Sequence, residues 1–97
     1  MSGGYFDYWQ YHIGRIADDV EQLILNNNDT TPNEWGGTRG HQYQQHTIDE
    51  FKRALQSLRQ AAIYAQRIDW LVCGDDGEET FHARLRAELQ ELNDKDA

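Results

Sequence analysis

The sequence predicts an all-α protein, an antiparallel helical hairpin of two long helices with a shorter third helix. Apolar residues recur at steps of three and four in three separate stretches, which is the period of an amphipathic helix. The hydrophobic set makes up 38% of the 97 residues and charged residues 27%, a polar balance that still allows a packed domain. A chain of this length is enough for one domain, so residues 1–97 are interpreted as a single helical domain.

The first predicted helix runs from about residue 8 to residue 25, after a flexible lead at residues 1–4. Asp7 is its predicted N-cap. Inside the helix, Gly14 costs about 1 kcal/mol relative to Ala, so we expect it to allow close approach of another segment or to mark a kink. The apolar stripe steps like a coiled-coil seam. It consists of Phe6, Trp9, Ile13, Ile16, Val20 and Leu23.

An irregular crossover is predicted over residues 29–46. The Asn-rich run before Pro32 ends the first helix, because Asn favours turns and the residue before proline avoids helical backbone. One interpretation is a connector whose rings pack on the helices, and the other is a contact loop whose rings and arginine bind a partner or stack on a nucleotide. The contact residues would be Trp35, Arg39, His41 and Tyr43.

The long helix, predicted over residues 48–73, organises the fold. Thr47 and Glu50 match a capping box at its start, and Gly74 suits its C-terminal end. Further apolar residues lie outside its main stripe, so the helix must bury a second face against a third helix or another subunit. The main stripe is Phe51, Leu55, Leu58, Ala62, Ala65, Ile68 and Val72.

Self-association as a homodimer is predicted from this second face and from an aromatic segment near the N-terminus. Three tyrosines there recur at steps of three outside the apolar stripe. Aromatic rings with a polar tip are favoured in interfaces, although the same rings can also cover helix ends. The predicted self-association residues are Tyr5, Tyr8, Tyr11, Ile63, Tyr64 and Trp70.

The third helix is predicted over residues 78–92, and residues 93–97 are expected to fray. Asp76 and Glu79 repeat the capping pattern at its start. Carboxylates in this turn are explained by the cap and the helix dipole, with a divalent cation as the alternative interpretation. The apolar stripe is Phe81, Leu85, Leu89 and Leu92. Apart from Phe6 and Leu92, the three stripes form the predicted core.

Charge and composition limit the class of protein. The net charge of −8 argues against direct binding to nucleic acid. A single cysteine, Cys73, requires no oxidising compartment. We find no apolar run near the ~20 residues of a membrane span and no signal peptide, so a soluble cytoplasmic protein is expected.

The negative charge is uneven along the chain, since residues 75–97 carry eight acids and three bases. Acidity often serves solubility alone, and the third helix would then be a solvated amphipathic helix. The alternative is an acidic surface that binds a basic groove on a partner protein. That predicted surface consists of Asp75, Asp76, Glu78, Glu79, Glu88, Glu91, Asp18, Asp19 and Glu21.

No motif of a known catalytic centre is present, so a non-enzymatic protein without cofactor or metal is predicted. The closest approach to an enzyme signature is Asp18-x-x-Glu21, which resembles the metal-binding E-x-x-E of all-helical nucleotide pyrophosphohydrolases. The long helix offers only Gln66-x-x-Asp69 where those enzymes have a second carboxylate pair. The four histidines and Cys73 lack the spacing of zinc ligands.

Two segments, F-D-Y-W-Q-Y-H-I-G-R-I-A-D-D-V-E and Y-A-Q-R-I-D-W-L-V-C-G-D-D-G-E-E-T-F-H-A-R-L, are similar to small uncharacterised helical proteins of tailed bacteriophages and prophages. The resemblance implies an inhibitor of host nucleic-acid-binding or defence machinery, of the anti-CRISPR or anti-restriction type, acting in the host cytoplasm. The alternatives are a nucleotide-binding or sequestering protein and a magnesium-dependent nucleotide pyrophosphohydrolase.

Overall fold

A computed structural model describes residues 4–96, without the side chain at position 96. The chain forms three helices, α1 (Gln10–Asn26), α2 (Gln45–Val72) and α3 (Glu78–Asp96). Within these residues no strand is present, and an isolated bridge joins Pro32 to Thr38. The predicted all-α fold is confirmed. Residues 1–3 of the expected lead and residue 97 lie outside the described residues.

The central helix is α2, which contacts both α1 and α3. Between α1 and α3 no contact occurs in the described part of the chain. The side-chain pairs Gln10–Gln66 and Asp18–Arg59 show that α1 runs antiparallel to α2. The short turn at residues 73–77 returns the chain so that α3 also runs antiparallel to α2. The three helices therefore lie side by side in one layer.

This layer is thin and elongated. The Cα atoms span 53 × 29 × 15 Å with a radius of gyration of 17.1 Å, whereas a compact chain of this length has about 12.5 Å. The accessible surface is 7125 Å², against about 5700 Å² for a compact monomer of this mass. Consequently, α1 and α3 cover two sides of α2 and leave its other two sides uncovered.

Very little apolar surface is fully buried. Among residues 4–96, Ala17 and Ile48 are the buried hydrophobic residues, and neither belongs to the predicted core. The prediction is wrong for the five core residues that are exposed, because a single layer offers no second layer to cover them. These are Trp9, Ile16, Leu23, Ile68 and Val72. The other predicted core residues are half-buried.

Two predicted N-caps are wrong. Helix α1 begins after Trp9 with no side-chain cap, and Asp7 has a φ of 53°, outside any capping geometry. Helix α2 begins at Gln45 after the extended residue Gln44, so Thr47 lies inside the first turn. The backbone N–H of Thr47 donates to the Gln44 carbonyl. Both helix starts are thus satisfied by turns of the preceding backbone.

The predicted C-terminal end of α2 is confirmed. Gly74 has a φ of 87°. Its N–H donates to the Leu71 carbonyl, and the Asp75 N–H donates to the Trp70 carbonyl, which together form a Schellman motif. The predicted end of α3 at residue 92 is wrong, since the helix continues to Asp96.

The structure requires glycine at position 40 but not at position 14. Gly40 is buried, and an added Cβ would lie 2.3 Å from the carbonyl oxygens of Asn26 and Asn27, so the crossover presses against the end of α1. Gly14 has nothing within 4 Å of a built Cβ, so the expected close approach at this residue is wrong.

Alanine at these two glycines should change stability in opposite directions. We expect Gly40→Ala to destabilise the protein by about 1–3 kcal/mol, because two carbonyls block the methyl group. Gly14→Ala should stabilise it by about 0.5–1 kcal/mol, because helical glycine is entropically unfavourable. Urea unfolding of both variants measures this, and a stable Gly40→Ala protein would contradict the described packing of the crossover.

Candidate functional site

Arg59 uses two of the predicted partner-binding carboxylates inside the molecule. Its Nη1 lies 2.8 Å from the Asp18 carboxylate and its Nη2 lies 3.6 Å from Glu21. These contacts join α2 to α1. Both carboxylates remain partly exposed, so these ion pairs add little to stability. One arginine against two carboxylates leaves one negative charge in this cluster.

A second cluster joins α2 to α3 around Arg67. Its guanidinium contacts Glu88, lies 3.4 Å from Asp76 and stacks over the Trp70 ring at 4.4 Å. The side chain of Asp76 is only 3% exposed and also pairs with Arg84 at 3.3 Å. The structure thus directs the Asp76 carboxylate to two arginines rather than to the helix cap that the sequence pattern predicts.

A groove of about 870 Å³ lies over α2, between α1 and α3. Its basic lining residues are Lys52, Arg53, Arg59 and Lys95, and its acidic ones are Glu21, Glu88 and Glu91. Half-buried apolar side chains, among them Leu55 and Ile63, form the floor. Because the lining contains four basic and three acidic residues, the groove is not an acidic surface.

The remaining predicted carboxylates lie apart from the groove. Asp75, Glu78 and Glu79 are exposed at the turn between α2 and α3. Within residues 4–96, no Lys or Arg side chain forms an ion pair with these three. Asp19 lies on the outer side of α1, beside a small cavity that Arg39 and His41 also line. The nine residues therefore do not form one continuous face.

The N-terminal aromatic segment lies at the same end of the layer as this acidic turn. Asp69, with 0% of its surface exposed, accepts hydrogen bonds from the backbone N–H groups of Tyr5 at 2.8 Å and Phe6 at 3.4 Å. In the described chain the other oxygen of Asp69, Oδ2, has no partner. Asp69 thus fixes the start of the chain against the last turns of α2.

The six predicted self-association residues are divided among different surfaces. Tyr5, Tyr8 and Tyr11 are exposed, and the Tyr8 and Tyr11 rings stack at 6.1 Å. Ile63 lines the groove, and Trp70 is half-buried under Arg67. Tyr64 is exposed on the side of α2 away from the groove. The structure therefore does not combine these six residues into one interface.

The crossover is held by Asn27, which is buried. Its Nδ2 donates to the Tyr43 carbonyl at 3.0 Å, and its Oδ1 accepts from the Tyr43 N–H at 2.8 Å. Hydrogen bonds from the side chain and backbone of Thr31 lower the pKa of the Asp29 carboxyl. These contacts order the segment that the sequence predicts as irregular.

The four residues of the predicted contact loop converge only in part, since Arg39 and His41 line the same small cavity whereas Trp35 does not. Tyr43 stacks on His41 and meets Phe51 of α2 edge to face, so it packs on the helix. Trp35 is exposed in the turn between Pro32 and Thr38. The structure therefore does not bring Trp35, Arg39 and Tyr43 together as one stacking site for a nucleotide.

The residues that resemble a pyrophosphohydrolase motif are also separated in their contacts. Asp18 and Glu21 point to Arg59, whereas Asp69 binds the backbone of the N-terminal turn. Gln66 accepts from the amide of Gln10 at 3.4 Å. Among the described residues, no group of three or more His, Cys, Asp or Glu side chains is arranged to hold a metal ion.

Sequence reasoning missed the structural roles of Arg59, Arg67, Asn27 and Asp69. An arginine near the apolar stripe of a long amphipathic helix indicates a bridging role, as does a lone carboxylate such as Asp69 in the second half of that helix. Asn27 offered no such signal, because it lies in a run of three asparagines. Their partners are distant in sequence and appear only in the fold.

Comparison of the chain with protein-family models, with curated proteins and with solved structures finds no match. Across the described residues, none of the three helices combines the length and hydropathy of a membrane span.

Removing the Asp69 carboxylate should release the N-terminal turn. In Asp69→Ala we expect faster hydrogen exchange at the amides of Tyr5 and Phe6 and a loss of about 1–3 kcal/mol in stability, because two backbone N–H groups lose a charged acceptor. Asp49→Ala, at an exposed position on α2, is the matched control and should change neither value. Unchanged exchange at Tyr5 in Asp69→Ala would show that the carboxylate does not hold the turn.

Proposed function

We propose that this protein is a non-enzymatic interaction protein that binds a basic surface of a partner protein through the α2–α3 end of the layer. The observation that carries this proposal is the set of three exposed carboxylates there, Asp75, Glu78 and Glu79, which no base of the described chain compensates. Exposed carboxylates of this kind attract basic partners and raise their association rates.

Arginine is the residue that this end of the molecule is best suited to bind. Carboxylates accept paired hydrogen bonds from a guanidinium, and aromatic rings stack on its plane. The same end carries the exposed rings of Tyr5 and Tyr11. The protein already surrounds its own Arg67 in this way, with the carboxylates of Asp76 and Glu88 and the ring of Trp70.

The class of partner follows from this chemistry and from the sequence resemblance. Arginine-rich surfaces are characteristic of proteins that bind nucleic acid, where they neutralise phosphates. The resemblance to phage proteins supports host nucleic-acid-binding or defence machinery as the target. Occupying such a basic surface would block its nucleic acid, so the proposed effect on the host protein is inhibition.

Neutral substitutions test this proposal without large structural changes. We expect the triple variant Asp75→Asn, Glu78→Gln, Glu79→Gln to bind a bacterial partner at least about tenfold more weakly, because each lost charge-assisted hydrogen bond is worth about 1.5 kcal/mol. The partner would be captured from bacterial lysate, identified by mass spectrometry, purified and titrated at low and high salt.

A matched control removes the same amount of charge at the opposite end of the layer. It carries Glu34→Gln, Asp49→Asn and Asp94→Asn, and it should bind the purified partner as the native protein does. A partner whose affinity is independent of salt, or that binds both triple variants equally well, would contradict the proposed acidic surface.

A further inference from the structure

An exposed apolar stripe runs along α1. Trp9, Ile16 and Leu23 follow each other at steps of seven, and they are 65%, 51% and 39% exposed. The side of α1 that faces α2 is marked by the buried residues Gln10 and Ala17. Trp9, Ile16 and Leu23 each come one residue before a position on that side, and one residue turns a helix by about 100°. The stripe therefore lies about 100° around α1 from the side that contacts α2.

The central helix carries a second uncovered stripe. Ile68 lies nine residues from Arg59, which lines the groove, and nine residues at about 100° each place it half a turn away. Tyr64 and Val72, four residues to either side of Ile68, are 44% and 50% exposed, and Ile68 itself is 37% exposed. The apolar side of α2 therefore lies opposite the groove.

Both stripes lie on the same side of the layer. On α1 the groove side is marked by Glu21, which is about 140° around the helix from Ile16. The side of the layer opposite the groove, here called the back face, therefore combines the stripes of the two helices. The back face consists of Trp9, Ile16, Leu23, Tyr64, Ile68 and Val72.

We propose that the back face packs against the back face of a second copy of this chain. The two α1–α2 hairpins then form a four-helix core around a two-fold axis, and each α3 lies outside that core. Two-fold dimers use the same patch on both chains, so one self-complementary face is sufficient. This interface is independent of the carboxylates proposed to bind a basic partner.

The accessible surface area supports a second copy of the chain as the partner of the back face. The chain exposes 7125 Å², which is about 1400 Å² more than a compact monomer of its mass. A standard stable interface buries about 800 Å² on each partner. The excess surface is therefore large enough for a stable dimer. All five exposed residues that the sequence predicts as core lie on the back face, so contact between two such hairpins would cover them.

Side-chain size along α2 also fits a second copy. The first half of its back side has the small residues Ala54, Ser57 and Ala61, and the second half has large ones, including Ile68 and Val72. When two copies of α2 lie antiparallel across a two-fold axis, the small half of one helix faces the large half of the other. Small residues allow close approach, and large residues fill the space opposite them.

Light scattering with charged substitutions tests the interface. We expect the native protein to have the mass of a dimer at micromolar concentration, and Ile16→Glu and Ile68→Glu to halve that mass. Leu25→Glu, at an exposed residue four positions after the groove-lining Glu21, should remain dimeric. A native mass of one chain, or dimers that persist in both back-face variants, would overturn the proposal.

Disulfide cross-linking gives a second readout that does not depend on a destabilising charge. In a Cys73→Ser background, Ala61→Cys lies near the proposed two-fold axis and should give a covalent dimer on mild oxidation. Lys52→Cys, on the groove side, should not. Cross-linking at Lys52→Cys without cross-linking at Ala61→Cys would place the contact between copies in the groove and overturn the back-face dimer.

Discussion

Helix α2 supports the whole structure, because it is the helix that both α1 and α3 contact. Two of its arginines form the polar part of these contacts. Arg59 pairs with carboxylates of α1, and Arg67 pairs with carboxylates of the turn and α3. A central helix with one neighbour on each side cannot be enclosed, so the chain has much surface and few buried apolar residues. The two proposed surfaces both follow from this arrangement.

The helices were predictable from the sequence, whereas the extent of the core was not. Periodicity located all three helices, and Gly74 marked the end of α2 because it can adopt a positive φ. Periodicity also assigned Ile16 and Ile68 to a core, although both are exposed. An apolar stripe indicates that one face of a helix is buried, but it does not show whether the same chain or a second chain covers that face. The predicted caps at Asp7 and Thr47 were wrong because backbone turns satisfy these helix starts instead.

For the candidate site, the sequence identified the carboxylates but not which of them are paired with arginines. Sequence identifies nine carboxylates, but ion pairing depends on contacts between helices. Arg59 and Arg67 pair with four of them, and the unpaired carboxylates at the α2–α3 end are Asp75, Glu78 and Glu79. If the chain pairs through its back face, each dimer presents two such acidic ends. Two linked sites bind a repetitive basic partner more tightly than one, provided that their spacing allows both to engage.

In the proposed dimer, a second copy of the chain completes the apolar core. Thermal unfolding over a hundredfold range of protein concentration, followed by circular dichroism at the helical bands, tests it most directly. When folding is coupled to association, the midpoint temperature rises with protein concentration by mass action. We predict such a rise for the native protein and none for Ile68→Glu. A midpoint of the native protein that does not change over this range would show that the single layer folds alone and would contradict the account.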